Sequence, residues 1–127
     1  MMKKYLAIDY GDKRIGLAVN QASLAEPLFV LENSPNVREQ VKVICQERDI
    51  DQVIIGLSEQ EMANKTRQFG QKLKEIIDIP LSYYDETLST QEVRKKLLTG
   101  PAKKKKRQGP VDHYAAALIL ERWLETV

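Results

Sequence analysis

The sequence predicts an α/β fold: a mixed, five-stranded sheet with helices on both faces. Three observations lead there. Two apolar runs near the start, Tyr5 to Ile8 and Ile15 to Val19, flank a short glycine-containing turn, which is a β-hairpin pattern. Val53-Ile54-Ile55 is a continuous β-branched run suited to a strand covered on both faces. Between the strand-like runs, apolar residues recur at helical spacing, giving the order βββαβαβαα. Hairpin-linked strands followed by helix–strand alternation make the sheet mixed.

Taken in order, Lys4 to Asp9 reads as the first strand and Arg14 to Asn20 as its partner, with Tyr10-Gly11-Asp12-Lys13 as the turn. Gly11 is expected to supply a positive φ there, and Gly16 to let a backbone or ligand approach closely. Ser23 to Pro27 reads as a connector and Leu28 to Leu31 as a third strand, closed by Asn33-Ser34-Pro35. Val37, Val41 and Ile44 then share one helical face. Asp51 to Leu57 returns to strand, and Ser58 to Lys65 reads as a polar loop. Phe69, Leu73, Ile76 and Ile77 form the stripe of a second helix, which Pro80 closes before a strand from Leu81 to Tyr84. Ser89-Thr90-Gln91-Glu92 is a capping box, so a helix is expected from Ser89 to the stop at Gly100-Pro101. Pro110-Val111-Asp112 opens a last helix carrying Ala116, Leu120, Trp123, Leu124 and Val127.

Composition narrows the class of protein. A length of 127 residues suits one domain spanning 1–127, and 43% hydrophobic with 30% charged residues is ordinary globular usage. No apolar run reaches the length of a membrane span, so no membrane partner is expected. The opening Met1 to Ile8 imitates a signal peptide until Asp9 interrupts it. A lone Cys45 excludes an internal disulfide framework and fits a reducing cytoplasm; its helical, apolar setting makes it a packing residue.

The chemistry is carried by acids at element ends. Asp9 stands where the first apolar strand should continue, and a carboxylate in such a place is costly unless compensated. Glu86 follows the last strand and Asp112 begins the last helix. In open α/β sheets the ligand crevice lies beyond the carboxyl ends of the strands. Three carboxylates converging there repel one another unless a cation intervenes, and hard oxygen donors select Mg²⁺ or Mn²⁺. Such ions promote attack of water on a phosphodiester. Taken singly, each acid has a plainer reading. Asp9 fits a turn aspartate, Asp112 a helix cap, and Asp85-Glu86 a polar strand end. One histidine and one cysteine allow no zinc cluster, and neither a phosphate-binding Gly-rich loop nor a nucleophile elbow is present.

Four blocks occur in a fixed order: Asp9-x-Gly11-x-x-Arg14-Ile15-Gly16, Gly56-Leu57, Asp85-Glu86-Thr87-Leu88-Ser89-Thr90, and Asp112-x-x-Ala115-Ala116. Their combination resembles the YqgF/RuvX family of bacterial ribonuclease H-like proteins. That family is described both as Holliday junction resolvases and as nucleases for precursor 16S ribosomal RNA. The resemblance spans essentially the whole chain. It implies a ribonuclease H-like fold, phosphodiester hydrolysis with Mg²⁺ or Mn²⁺, and metal-binding catalytic acids at Asp9, Glu86 and Asp112. It also places Arg14 beside the site, on a phosphate. Two departures stand out. Ser58 to Thr66 replaces the proline and longer glycine-rich loop of many members, with Asn64 and Lys65 as candidate substitutes. Thr87 stands where many have arginine.

Lys103, Lys104, Lys105, Lys106 and Arg107 form a basic run a few residues before Asp112. A charge run alone fits a solvated loop. Its place near the crevice points instead to phosphate contact, with salt-dependent, largely sequence-independent affinity. Arg94, Lys95 and Lys96 add charge nearby, whereas His113, adjacent to Asp112, faces another direction on the helix. The expected partner is structured RNA or branched DNA, and the expected assembly a monomer or weak homodimer. The expected function is metal-dependent endonuclease action at the 5′ end of precursor 16S rRNA. The alternatives are resolution of branched DNA, non-catalytic nucleic-acid binding, and an actin-like or sugar-kinase ATPase.

Overall fold

The computed structural model describes residues 2–57, 60–85 and 111–127, with residues 60–61 and 111–113 described by their backbone alone. Five strands form one sheet: β1 (Tyr5–Tyr10), β2 (Arg14–Gln21), β3 (Leu24–Glu32), β4 (Gln52–Leu57) and β5 (Leu81–Asp85), in the spatial order β3-β2-β1-β4-β5. The first three pair antiparallel, whereas β4 runs parallel to both β1 and β5. Helices α1 (Val37–Glu47), α2 (Gln60–Ile76) and α3 (Val111–Leu124) complete the described elements.

Side-chain alternation along the strands sorts the core into two layers. Leu6, Ile8, Ile15, Leu17, Val53 and Ile55 face α1 and α2, meeting Val37, Val41, Cys45, Phe69 and Leu73. Tyr5, Ala7, Ala18 and Ile54 face the other way and meet Ala116, Ile119 and Leu120 of α3. β1 is therefore buried on both faces, as the apolar run from Tyr5 to Ile8 requires.

Three expectations are revised. β3 begins at Leu24, so the segment read as a connector is paired strand. Pro27 sits in it without penalty because β3 is an edge strand and a bulge between Leu17 and Ala18 shifts the register there. α2 begins at Gln60, not after Lys65. Asn64 and Lys65, expected in a loop, are exposed helical residues, and buried Thr66 donates its hydroxyl to the Met62 carbonyl at 2.6 Å. No described glycine has a positive φ. Gly11 is required for closeness instead: a Cβ there would lie 2.6 Å from the Arg14 carbonyl oxygen.

The left-handed positions belong to Ala22 and Asp49, each at φ 53°. At the end of α1, the Ile50 N–H donates to the Cys45 carbonyl at 3.0 Å and the Asp49 N–H to Gln46 at 3.4 Å. This is a Schellman closure with an aspartate where glycine is favoured. Asp49→Gly is expected to raise stability by about 0.5–1 kcal/mol, measured by urea unfolding.

Burial pushes the Cys45 thiol from its ordinary 9.0 up to about 11. The folded chain then holds this proton at pH values where the unfolded chain has lost it, so stability falls as pH rises from about 9 to about 11. Cys45→Ala is expected to remove that part of the pH dependence in unfolding curves. The native thiol should also react with a disulfide reagent far more slowly than the unfolded one.

Candidate active site

Asp9 lies near the carboxyl end of β1, half-buried. Alternation puts it on the α3 face, in line with Tyr5 and Ala7. Its antiparallel partner is Gly16, and on the other side Gly56 lies one residue beyond the Ile8–Ile55 pair. The acid is thus flanked across the sheet by two residues without side chains. Beyond them in the same row are Val30 on β3 and Tyr84 on β5. Arg14 is exposed at the start of β2 and shares the Asp9 face, since Ile15 points into the opposite layer.

α3 brings the last part of the chain back to this end. Trp123, near the end of α3, packs edge-on against Tyr5 at the start of β1, with ring centroids 6.1 Å apart. The helix packs over β2 and its two neighbours and seats Ala116 and Leu120 on the sheet. From Trp123 back to Asp112 is about 16 Å of helix, against about 13 Å of strand from Tyr5 to Asp9. The first turn of α3, which includes Asp112, therefore returns toward the Asp9 end of the sheet.

Among the described residues no three His, Cys, Asp or Glu side chains cluster as a metal site. The Asp112 carboxylate and the His113 ring lie outside the described side chains. Glu86, the helix expected from Ser89 to Gly100, and the run Lys103 to Arg107 lie outside the described residues. The donor set named by the sequence is all carboxylate oxygen, which suits a hard divalent cation, and Asp9 has the half-buried position such a ligand needs.

Two supports of the site went unrecognised in the sequence. Asn33, read as a strand breaker, pins the β1–β2 turn. Its side-chain amide donates to the Gly11 carbonyl at 2.9 Å, and its backbone N–H donates to the Lys13 carbonyl at 2.9 Å. Lys65 on α2 reaches Asp12 in the same turn at 3.0 Å, both groups being exposed. A polar residue just past a strand end is a common signal, and nothing in its spacing reveals a partner 22 positions earlier.

Comparison with known proteins identifies the chain. The profile of the family described as RuvX, Holliday junction resolvase, matches residues 3–126. The chain belongs to the RuvX family. A relative from Desulfitobacterium hafniense, provisionally named a pre-16S rRNA nuclease, is 30% identical over 98% of this chain and 93% of its own length. One from Pseudomonas paraeruginosa, with the same provisional name, is 33% identical over 97% of this chain and 92% of its own. Among solved structures, Thermus thermophilus RuvC in complex with a Holliday junction superposes with a TM-score of 0.65 at 15% identity, over 98% of this chain and 95% of that one. The fowlpox virus Holliday junction resolvase gives 0.55 at 12%, covering 98% and 99%. At those identities the likeness shows the fold, which is ribonuclease H-like. This RuvX member is a nuclease, a hydrolase of phosphodiester bonds. No described helix is long and apolar enough to cross a membrane.

The geometry of the turn makes two expectations measurable. Asn33→Ala is expected to cost about 1–2 kcal/mol in urea unfolding, because the Gly11 carbonyl loses its partner. Lys65→Met, which breaks an exposed ion pair, should change stability by less than about 1 kcal/mol in the same measurement.

Proposed function

We propose that this single-domain RuvX protein is a cytoplasmic, divalent-metal-dependent endonuclease that processes the 5′ end of precursor 16S rRNA. Asp9, Glu86 and Asp112 are its metal ligands and catalytic acids. The observation that carries the reading is the setting of Asp9: a half-buried carboxylate near the end of a doubly covered strand, between Gly16 and Gly56, on the face overlaid by the helix whose first turn includes Asp112. An all-carboxylate donor set suits a hard divalent cation, and the missing side chains on either side of Asp9 leave width for a nucleic-acid backbone.

Mg²⁺ or Mn²⁺ supplies a Lewis acid that neutralises phosphate charge and makes water nucleophilic at neutral pH. The chain's own contribution is to hold the acids at fixed spacing and to orient the substrate. Arg14 and the run Lys103, Lys104, Lys105, Lys106 and Arg107 hold phosphates, positioning the scissile bond without reading sequence. The RNA substrate is favoured by the names of the relatives that match nearly end to end. A second reading, resolution of branched DNA by a monomer or weak homodimer, is favoured by the family description.

The test is cleavage of precursor 16S rRNA and of a four-way DNA junction, with Mg²⁺ and with excess EDTA. Wild type is expected to cut the RNA only with metal, and Asp9→Asn to lose at least about 100-fold in rate while melting at the same temperature. Equal rates for the two proteins would remove Asp9 from the site. Cleavage confined to the junction would replace the RNA reading with the DNA one.

A further inference from the structure

We propose that the groove between α2 and the outer edge of β5 binds a single strand of nucleic acid through its phosphates, as a second contact distant from the acids. The groove, about 280 Å³, is lined by Arg67, Gln71, Lys74, Leu81 and Tyr83. Arg67, Gln71 and Lys74 are spaced so that they share one face of α2, and all three are exposed. Among the described residues no carboxylate lines the groove, and neither Arg67 nor Lys74 forms an ion pair. A surface that gathers two cations and an amide donor attracts polyanions.

The groove is also shaped and preordered. Gly70 lies inside the turn of α2 that meets the sheet, where a Cβ would strike the Tyr83 hydroxyl and approach the Ile55 side chain. The absent side chain lets α2 lie close against β4 and β5. Tyr83 holds the Arg67 guanidinium 5.4 Å from its ring centroid, and its hydroxyl donates to the Arg67 carbonyl at 3.4 Å. Arg67 therefore presents its remaining donors outward from a fixed platform. The rise from Arg67 to Lys74 is about 10 Å, which is the length of three stacked nucleotides at about 3.4 Å each.

Position links the groove to the reaction. β5 is an outer strand, and Tyr83 precedes the Asp85 end of it by two residues. A strand leaving the carboxyl ends of the sheet meets Arg67 first and Lys74 second. This inference rests on the nuclease reading for its biological setting, but the binding it describes is measured without cleavage.

The experiment is anisotropy of short fluorescein-labelled single-stranded RNA and DNA in EDTA, titrated with full-length protein between about 50 and 200 mM salt. Arg67→Ala/Lys74→Ala should bind more weakly and lower the slope of log K against log salt by about 1.4, two phosphate contacts at about 0.7 each. Arg67→Lys should keep the slope. Lys42→Ala/Arg48→Ala, which removes two cations that do not line the groove, should match wild type. A wild-type slope in the Arg67/Lys74 double variant, with unchanged melting temperature, would overturn the groove and leave the nuclease reading standing. A lowered slope in a protein that cleaves nothing with Mg²⁺ would support the groove and sink the nuclease reading instead. Equal losses from both double variants would reduce the effect to net charge and overturn the groove.

Discussion

Everything in this molecule hangs on the burial of β1 from both sides. Leu6 and Ile8 are claimed by α1 and α2, Tyr5 and Ala7 by α3, and the strand has paired neighbours on each edge. With all four side chains fixed, β1 has one register and one direction, because a shift by one residue would exchange its two faces. Asp9 inherits that fixity. It is the first residue on the α3 side at which apolar packing gives way to charge. Its backbone position is set by the hydrophobic core on which the strand is fixed.

That arrangement also explains why the site can be wide while the core is dense. Gly16 and Gly56 flank Asp9 in the sheet, so neither adjacent strand sets a side chain directly beside the acid. The turn beyond is held by Asn33 and by the closeness of Gly11 to the Arg14 carbonyl. Arg14 consequently leaves a backbone that has little freedom, on the same face as the acid. Rigidity is supplied from below by apolar contact and from the side by hydrogen bonds.

Much of this was legible in the residues, and the reasons differ by element. The apolar runs of β1 and β4 and the stripe of α1 follow periods that only one structure satisfies, and the placement of Asp9 followed from them. The early start of α2 was not legible, because Gln60 to Lys65 carries polar residues that a helix and a loop both accept. β3 was underestimated for a related reason: Pro27 reads as a breaker, and only its place on an edge beside a bulge makes it a strand residue. The roles of Asn33 and of the Arg67–Tyr83 pair depend on contacts across 22 and 16 positions, which no local pattern encodes. Glu86 and Lys103 to Arg107 rest on the sequence and its family alone.

The edge-on contact of Tyr5 with Trp123 has a temporal meaning as well. It joins β1, the earliest of the described strands to be synthesised, to α3, the latest of the described helices. The sheet's α3 face stays bare until that helix docks, and the acid proposed at its first turn is missing until then. A copy synthesised only as far as β5 thus lacks Asp112, one of the proposed carboxylates. The proposed nuclease would be incomplete while still emerging from a ribosome, among the very RNA it is proposed to trim.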